Sequence, residues 1–169
     1  MEITLRYGNN REIIRKETAK MLATLIPFFD KDMKVRAYSL FSQKENYLLN
    51  PELQGSAVLD GSGRVGGLDI IHNIGIDTLS PDTKVFLPIG PINIFADIEG
   101  QSFSMRDRLV LLCDKSIANT DPYRKRLKQL RQNGYKLAIF KLPVTEFENY
   151  QDILKLMDYI ILDCKKVDV

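Results

Sequence analysis

Three strongly apolar segments separated by two amphipathic ones constrain the fold of this chain more than any other feature. RLVLLC (108–113), KLAIF (136–140) and YIIL (159–162) have the length and composition of buried strands. Strands that are apolar on both sides are typical of a parallel sheet covered by helices. The order strand, helix, strand, helix, strand therefore predicts an α/β fold, either a (β/α) barrel or a doubly wound sheet.

The first of the two helices has clear start and stop signals. It is predicted from Pro122 to Asn133, with Asp121 as its cap and Gly134 as its terminating residue. The second helix is predicted across 147–157, because the apolar residues there recur on one helical face: Phe147, Tyr150, Ile153, Leu154 and Met157.

The first half of the chain is predicted to contain a β-hairpin, a short helix and one more strand. LATLIPFF and MKVRAYSLFS are rich in β-forming residues and flank the turn Asp30-Lys31-Asp32. LDIIHNI (68–74) has helical spacing, and Lys84 to Ile89 is a strand candidate in which Pro88 ends regular pairing. Residues 1–20 are interpreted as a peripheral N-terminal segment, and residues 21–169 as one domain.

Composition limits the partners that the chain can have. Its 24 Lys and Arg residues against 22 Asp and Glu give a net charge of +2, too small to attract nucleic acid or a lipid surface through bulk electrostatics. No segment approaches the roughly 18 apolar residues of a membrane span. We therefore expect a cytoplasmic protein without a nucleic-acid or membrane partner. Cys113, Cys164 and the single His72 do not form a usual zinc set, and no cofactor is expected.

Two stretches resemble the EAL-domain family of cyclic-di-GMP phosphodiesterases. PYRKRLKQLRQNGYKLAIFKLPVTEFENYQDILKLMDYIILD is similar to the family's helix, its "NGY.LALDDF" strand, a second helix and "aDyvKiD". IPFFDKDMKVRAYSLFS is similar to the family's opening, and the resemblance covers about residues 20–165. Its closest form is the EAL module that precedes an HDOD domain. The resemblance implies a modified TIM barrel, whose active members hydrolyse cyclic di-GMP with divalent metals held by carboxylates at the strand ends.

Carried over residue by residue, the resemblance implies that the family's metal ligands are replaced. The family's signature glutamate falls on Ser39, its asparagine falls near Pro88, and its second glutamate falls on or beside Leu112. Its paired aspartates fall on Phe140 and Lys141. Its lysine falls on Ile161, and only its last aspartate is matched, by Asp163. A single remaining carboxylate cannot build a two-metal site. The chain is therefore predicted to be a degenerate EAL domain that is not an enzyme and has no catalytic or metal-binding residues.

Three functions remain open on the sequence. The first is a signalling or scaffold module that acts through protein–protein interaction. The second is a receptor that binds cyclic di-GMP or another nucleotide without cleaving it, in a vestigial pocket of Ser39, Lys141 and Asp163. The third is residual metal-dependent hydrolysis by Asp114, Glu146 and Asp163, which a small shift of the alignment would permit.

The resemblance also implies an incomplete barrel. A closed eight-stranded barrel takes about 250 residues, and the likeness here reaches only the sixth strand or so. The domain is therefore interpreted as truncated before the last barrel strands. An open parallel sheet leaves an unpaired edge, which a following domain, the N-terminal segment or a second copy could cover. Of these we expect the second copy, and therefore a homodimer.

Four other features receive structural interpretations. Gly61-x-Gly63-x-x-Gly66 is interpreted as a flexible loop. A dinucleotide site needs an acidic residue about 20 positions further on, and that region reads VFLPIG. His72 is interpreted as a packing or capping residue, and Cys113 and Cys164 as buried, inert thiols. The basic residues of the predicted helix are interpreted as a solvated face: Arg124, Lys125, Arg126, Lys128 and Arg131.

Overall fold

The computed structural model describes residues 21–44 and 65–162, which form one six-stranded sheet in the order β1-β2-β3-β4-β5-β6. The strands are β1 (Met21–Phe29), β2 (Val35–Lys44), β3 (Lys84–Pro88), β4 (Leu109–Cys113), β5 (Lys136–Phe140) and β6 (Tyr159–Ile161). β1 is antiparallel to β2, and each later strand is parallel to the strand before it. The helices are α1 (Gly66–Ile74), α2 (Ile76–Leu79), α3 (Ile98–Ser102), α4 (Asp121–Gln132) and α5 (Gln151–Leu154).

The predicted hairpin is confirmed, and one aspartate organises its turn. The side chain of Asp30 accepts hydrogen bonds from the backbone N–H groups of Asp32 (2.9 Å) and Lys34 (3.0 Å). Met33 has a φ of 58°, the left-handed conformation that lets the chain reverse here. Polar turn residues between two β-rich segments thus place β1 beside β2.

Both faces of the central parallel strands β3, β4 and β5 are largely buried, as their apolar composition predicts. The prediction of a buried strand is wrong for β6, in which Tyr159 and Ile160 are exposed. In β4, Leu109, Leu111 and Cys113 belong to the large core beneath the helices. Val110 and Leu112 point to the opposite side and belong to a second, smaller apolar cluster. We call this second side the inner face; its cluster consists of Ala37, Phe86, Val110, Leu112 and Ala138, with Phe28, Phe140 and Ile161 packed against it.

The sheet is strongly curled around this inner face. The rings of Phe86 on β3 and Tyr159 on β6 have centroids 5.4 Å apart, although three strand spacings separate these strands. In a flat sheet those spacings would add up to about 14 Å. The described residues therefore form a half-barrel with helices outside, and the predicted incomplete (β/α) barrel is confirmed.

The helix predictions are correct in position and partly wrong in length. α4 agrees with its predicted range to within one residue, but its N-cap is Thr120, and the predicted cap Asp121 lies in the first turn of the helix. α5 has four residues instead of spanning 147–157. Residues before it form a 3₁₀ helix (Val144–Glu146) and turns, in which Tyr150 N–H donates to Phe147 O. The apolar residues of this segment still pack on the core. Two further 3₁₀ helices (Asn93–Phe95 and Phe103–Arg108) and α3 were not predicted.

Some predictions fall on residues outside the described ranges. These are the peripheral segment 1–20, the glycine-rich loop at Gly61 and Gly63, and the residues Asp163 and Cys164. Among the helices of the described ranges, none combines the length and the apolar character that a bilayer crossing requires.

Candidate functional site

The inner face brings together four positions at which the EAL resemblance places metal ligands. Leu112 and Phe140 belong to the inner apolar cluster. Ser39 is paired in register with Phe86, another member of that cluster, so it lies on the same side of the sheet. Pro88 is paired with Leu112. The residues at these positions therefore share the face on which ligands would have to converge, and they carry a hydroxyl group or apolar side chains.

Ser39 is an unusual residue in this apolar environment. Its side chain is 2% exposed, and its Oγ has no hydrogen-bond partner among the described residues. A buried hydroxyl without a partner costs about 1–3 kcal/mol relative to a satisfied one. Unpaired polar atoms of this kind occur preferentially where a water, an ion or a ligand supplies the missing contact.

Lys141 lies at the carboxyl end of β5 in a strained conformation. Its φ of 55° is in the left-handed region that side chains other than glycine avoid. The Nζ atom lies 5.0 Å from the centroid of the Phe140 ring, close enough for a cation–π contact. The exposed ammonium group therefore folds back towards a residue of the inner cluster. Asp163, the third residue of the predicted pocket, lies outside the described residues. Ser39 on β2 and Lys141 after β5 are three strand positions apart in the sheet.

Comparisons with known proteins give matches in structure and none in sequence. No protein-family model matches the chain. The comparison with curated proteins likewise gives no match.

The structural matches are EAL proteins. The structure of the EAL enzyme Bd1971 with bound cAMP has a TM-score of 0.60 and 13% identity, over 85% of this chain and 46% of that chain. The PaMucR phosphodiesterase in complex with cyclic di-GMP has a TM-score of 0.54 and 10% identity, over 73% and 60%. Klebsiella pneumoniae BlrP1 with manganese and cyclic di-GMP has a TM-score of 0.54 and 14% identity, over 86% and 44%.

The chain has an EAL-like fold. It spans about half the length of the Bd1971 and BlrP1 structures that it matches. At this level of identity the likeness concerns the fold, and the order of the strands along the chain agrees with the resemblance noted in the sequence.

Two carboxylates outside the aligned positions lie near the same edge of the EAL-like sheet. Asp114 follows β4, and its Oδ1 accepts hydrogen bonds from the backbone N–H and the hydroxyl of Ser116. Burial raises the pKa of Tyr150, and the charges of Glu146 and then Asp114 raise it further, so both acids lie close to this phenol. Among the residues of 21–44 and 65–162, no group of three or more His, Cys, Asp or Glu side chains could hold a metal ion.

The surroundings of His72 and Cys113 agree with structural rather than chemical roles in the EAL-like fold. The Nε2 of His72 donates to the backbone oxygen of Gln101 (2.7 Å) in the last turn of α3, which agrees with a capping role. Cys113 is fully buried, and burial followed by the nearby Asp114 charge raises the pKa of its thiol to about 12. The thiol therefore stays protonated and unreactive, as predicted for a buried core cysteine.

The basic residues of α4 are less uniform than predicted. Lys125 and Lys128 are exposed, as expected of a solvated face. Arg126 contradicts that interpretation, because its guanidinium group makes two 2.7 Å hydrogen bonds to the Glu99 carboxylate. It also donates to the backbone oxygens of Ile94 and Ala96. Its neighbours in sequence gave no sign of this, because the contacts come from residues about 30 positions earlier in the chain.

These hydrogen bonds of Arg126 hold the segment after β3 against α4. The Arg126 hydrogen bond holds the pKa of Glu99 below its usual value, against an opposing effect of burial. A shallow groove of about 540 Å³ lies beside this ion pair, lined by Phe95, Asp97, Gln129 and Asn133 among others. Sequence reasoning missed Glu99, whose separation from Arg126 has no local periodic signature.

Proposed function

We propose that this chain is a signalling or scaffold module with an EAL-like fold that acts through protein–protein interaction and does not hydrolyse cyclic di-GMP. The observation that carries the proposal is the composition of the inner face. Ser39, Leu112 and Phe140 lie on that face, and none of them carries a carboxylate. We place the module in the cytoplasm, with either another protein or a second copy of itself as partner.

The chemistry of phosphodiester hydrolysis explains why this composition matters. A divalent metal such as Mg²⁺ or Mn²⁺ takes hard oxygen ligands, mostly carboxylates, and supplies both the charge that polarises the phosphate and the hydroxide that attacks it. One hydroxyl group and two hydrocarbon side chains do not fit such a metal. We therefore derive no hydrolytic step for these residues.

Chromatography of the nucleotide after incubation tests the proposal. The purified chain is incubated with cyclic di-GMP and Mg²⁺ or Mn²⁺, beside an active EAL phosphodiesterase at the same concentration. We expect no linear dinucleotide above the buffer control. Metal-dependent cleavage would contradict the proposal, and its loss in Asp114→Asn or Glu146→Gln variants would identify the residual-hydrolysis alternative.

A second candidate function is a receptor that binds cyclic di-GMP or another nucleotide without cleaving it. Two observations favour it: the unpaired Ser39 hydroxyl and the Lys141 ammonium group next to Phe140. In this alternative the lysine supplies a positive charge for a phosphate, and the proposed pocket is completed by Asp163.

Calorimetric titration with cyclic di-GMP distinguishes the receptor from the interaction module. The receptor predicts saturable binding without added metal that weakens in Lys141→Glu. Lys125→Glu is a matched control, because Lys125 is an exposed lysine on α4. Absence of binding in the unchanged chain would remove the receptor and leave the interaction module.

A further inference from the structure

The last strand of the half-barrel, β6, has one unpaired edge among the described residues. Within residues 21–44 and 65–162, β6 is paired on one side with β5 and has no strand on its other side. A free strand edge presents unpaired N–H and C=O groups, which usually pair with another chain or are covered. The edge of β6 is therefore a candidate interaction surface.

Apolar side chains are exposed on both sides of this strand. Tyr159, which contacts the inner-face residue Phe86, is 38% exposed. Ile160 points to the opposite side, because successive side chains of a strand alternate, and it is 46% exposed. Leu162, directly after the strand, is 50% exposed. A small ligand on one side would leave the other side uncovered, whereas a neighbouring strand covers both.

An open cleft of about 770 Å³ continues this surface along the inner face. Its apolar walls come from Phe28, Phe86 and Ile161, among other residues. Its charged residues are Arg36, Lys84, Asp82 and Asp158, two of each sign. A surface with balanced charges can meet its own copy without a net repulsion, and this favours a second copy of the chain over a strongly charged partner.

We propose that β6 pairs with β6 of a second copy around a two-fold axis. With the axis perpendicular to the strand, the partner strand runs in the opposite direction, so the contact is antiparallel and the same residues contribute from both copies. The two half-barrels then share one continuous sheet, and the exposed side chains of Tyr159, Ile160 and Leu162 are covered. The inference rests on the proposed function and names its partner and surface.

The oligomeric state in solution tests this contact. Light scattering coupled to size-exclusion chromatography is measured over a concentration series for the chain and for Ile160→Glu. Because the substitution puts two unpaired charges into one two-fold contact, we expect the dimer dissociation constant to rise at least about tenfold. Ile92→Glu is the matched control: Ile92 is 58% exposed and does not line the cleft, so its dimer should be unchanged.

Amide hydrogen exchange of the unchanged chain keeps the test independent of how the variants fold. We expect the β6 amides to exchange more slowly as the dimer forms. Three results would overturn the proposal: a monomer at all concentrations, a dimer that resists Ile160→Glu, or a monomer whose β6 amides are already protected, which would mean that the chain covers its own edge. None of these results measures nucleotide turnover. The proposed absence of cyclic-di-GMP hydrolysis is therefore tested separately, by chromatography of the nucleotide.

Discussion

The two ends of the parallel sheet differ in how completely their polar groups are paired. At the amino end, before β4, Arg108 bridges Asp77, the Ser80 carbonyl and the Thr83 carbonyl. Before β6, the carboxylate of Asp158 accepts from Lys136 Nζ (2.9 Å) and Leu137 N–H (3.0 Å). Arg108 thereby holds the start of β4 to the start of β3, and Asp158 holds the start of β6 to the start of β5.

The inner face and the carboxyl end have the opposite character. Ser39 has a buried hydroxyl without a partner among the described residues, and Lys141 has a positive φ. In (β/α) barrels the amino end contributes mainly to stability and the carboxyl end carries the functional groups. The half-barrel is tied by ion pairs at its amino end, whereas its inner face and carboxyl end keep a buried hydroxyl without a described partner and a strained backbone, and carry no carboxylate at Ser39, Leu112 or Phe140.

The largest effect is expected at the amino end. Asp158→Ala should lower the free energy of unfolding by about 2–3 kcal/mol, because it removes a mostly buried carboxylate, leaves the buried Leu137 N–H without its acceptor and leaves the half-exposed Lys136 to water alone. Urea unfolding followed by circular dichroism measures the change. The control Asp152→Ala removes an exposed pair with Lys155 and should cost less than about 0.5 kcal/mol. Equal effects would contradict the role given to the amino end.

Two buried serines sharpen the comparison. Ser39→Ala should raise the free energy of unfolding by about 1 kcal/mol, because it removes a hydroxyl that has no partner. Ser102→Ala should lower it by about 1–2 kcal/mol, because Ser102 Oγ is bonded to Ile98 O and to the Tyr135 hydroxyl. Thermal unfolding of both variants should therefore show shifts of opposite sign. A loss of stability in Ser39→Ala would indicate that its hydroxyl is satisfied in solution.

A smaller effect is expected from relieving the backbone at Lys141. Lys141→Gly should stabilise the fold by about 0.5 kcal/mol, since relief of the left-handed strain is partly offset by the greater freedom of glycine in the unfolded chain. Lys115→Gly, at a position without positive φ, should instead destabilise by about 0.5–1 kcal/mol. The sign of the difference between these two variants, measured by chemical unfolding, checks the prediction.

The pH dependence should be the mildest effect. Burial raises the pKa of Asp158, but the Leu137 N–H and Lys136 outweigh it and hold that pKa below its usual value. A lowered folded-state pKa gives stability that is present above the unfolded pKa and is lost as the pH falls through the folded pKa. Stability should therefore decline below about pH 4, and Asp158→Asn should flatten that decline. An unchanged slope in the variant would remove Asp158 as its cause.

The sequence was sufficient for the main strands because each carries its own local signal. β4 and β5 are apolar on both sides, and the hairpin is marked by Asp30 at its turn. The length of α5 could not be read, because a helical apolar spacing also suits the turns that place Phe147 and Tyr150 on the core. The Asp97 cap of α3, which accepts from Gly100 N–H, was a readable signal that the sequence reasoning overlooked.

The candidate site was predictable in part. Alternation along a strand is enough to place Ser39 on the same side as Ala37. The missing partner of its hydroxyl depends on the packing of several strands, and the pairing of Arg126 with Glu99 depends on the position of α3 beside α4. Contacts between residues distant in the chain leave no local pattern, which explains why the arginine was assigned to a solvated face.

Titration of the chain with Mn²⁺ by calorimetry tests most directly whether the inner face can hold a metal. An active EAL phosphodiesterase serves as the positive control under the same conditions. We expect no saturable heat from this chain, because Ser39, Leu112 and Phe140 offer no carboxylate. Stoichiometric Mn²⁺ binding that disappears in Asp114→Asn or Glu146→Gln would contradict this and would show that other acids of the chain have taken over as ligands.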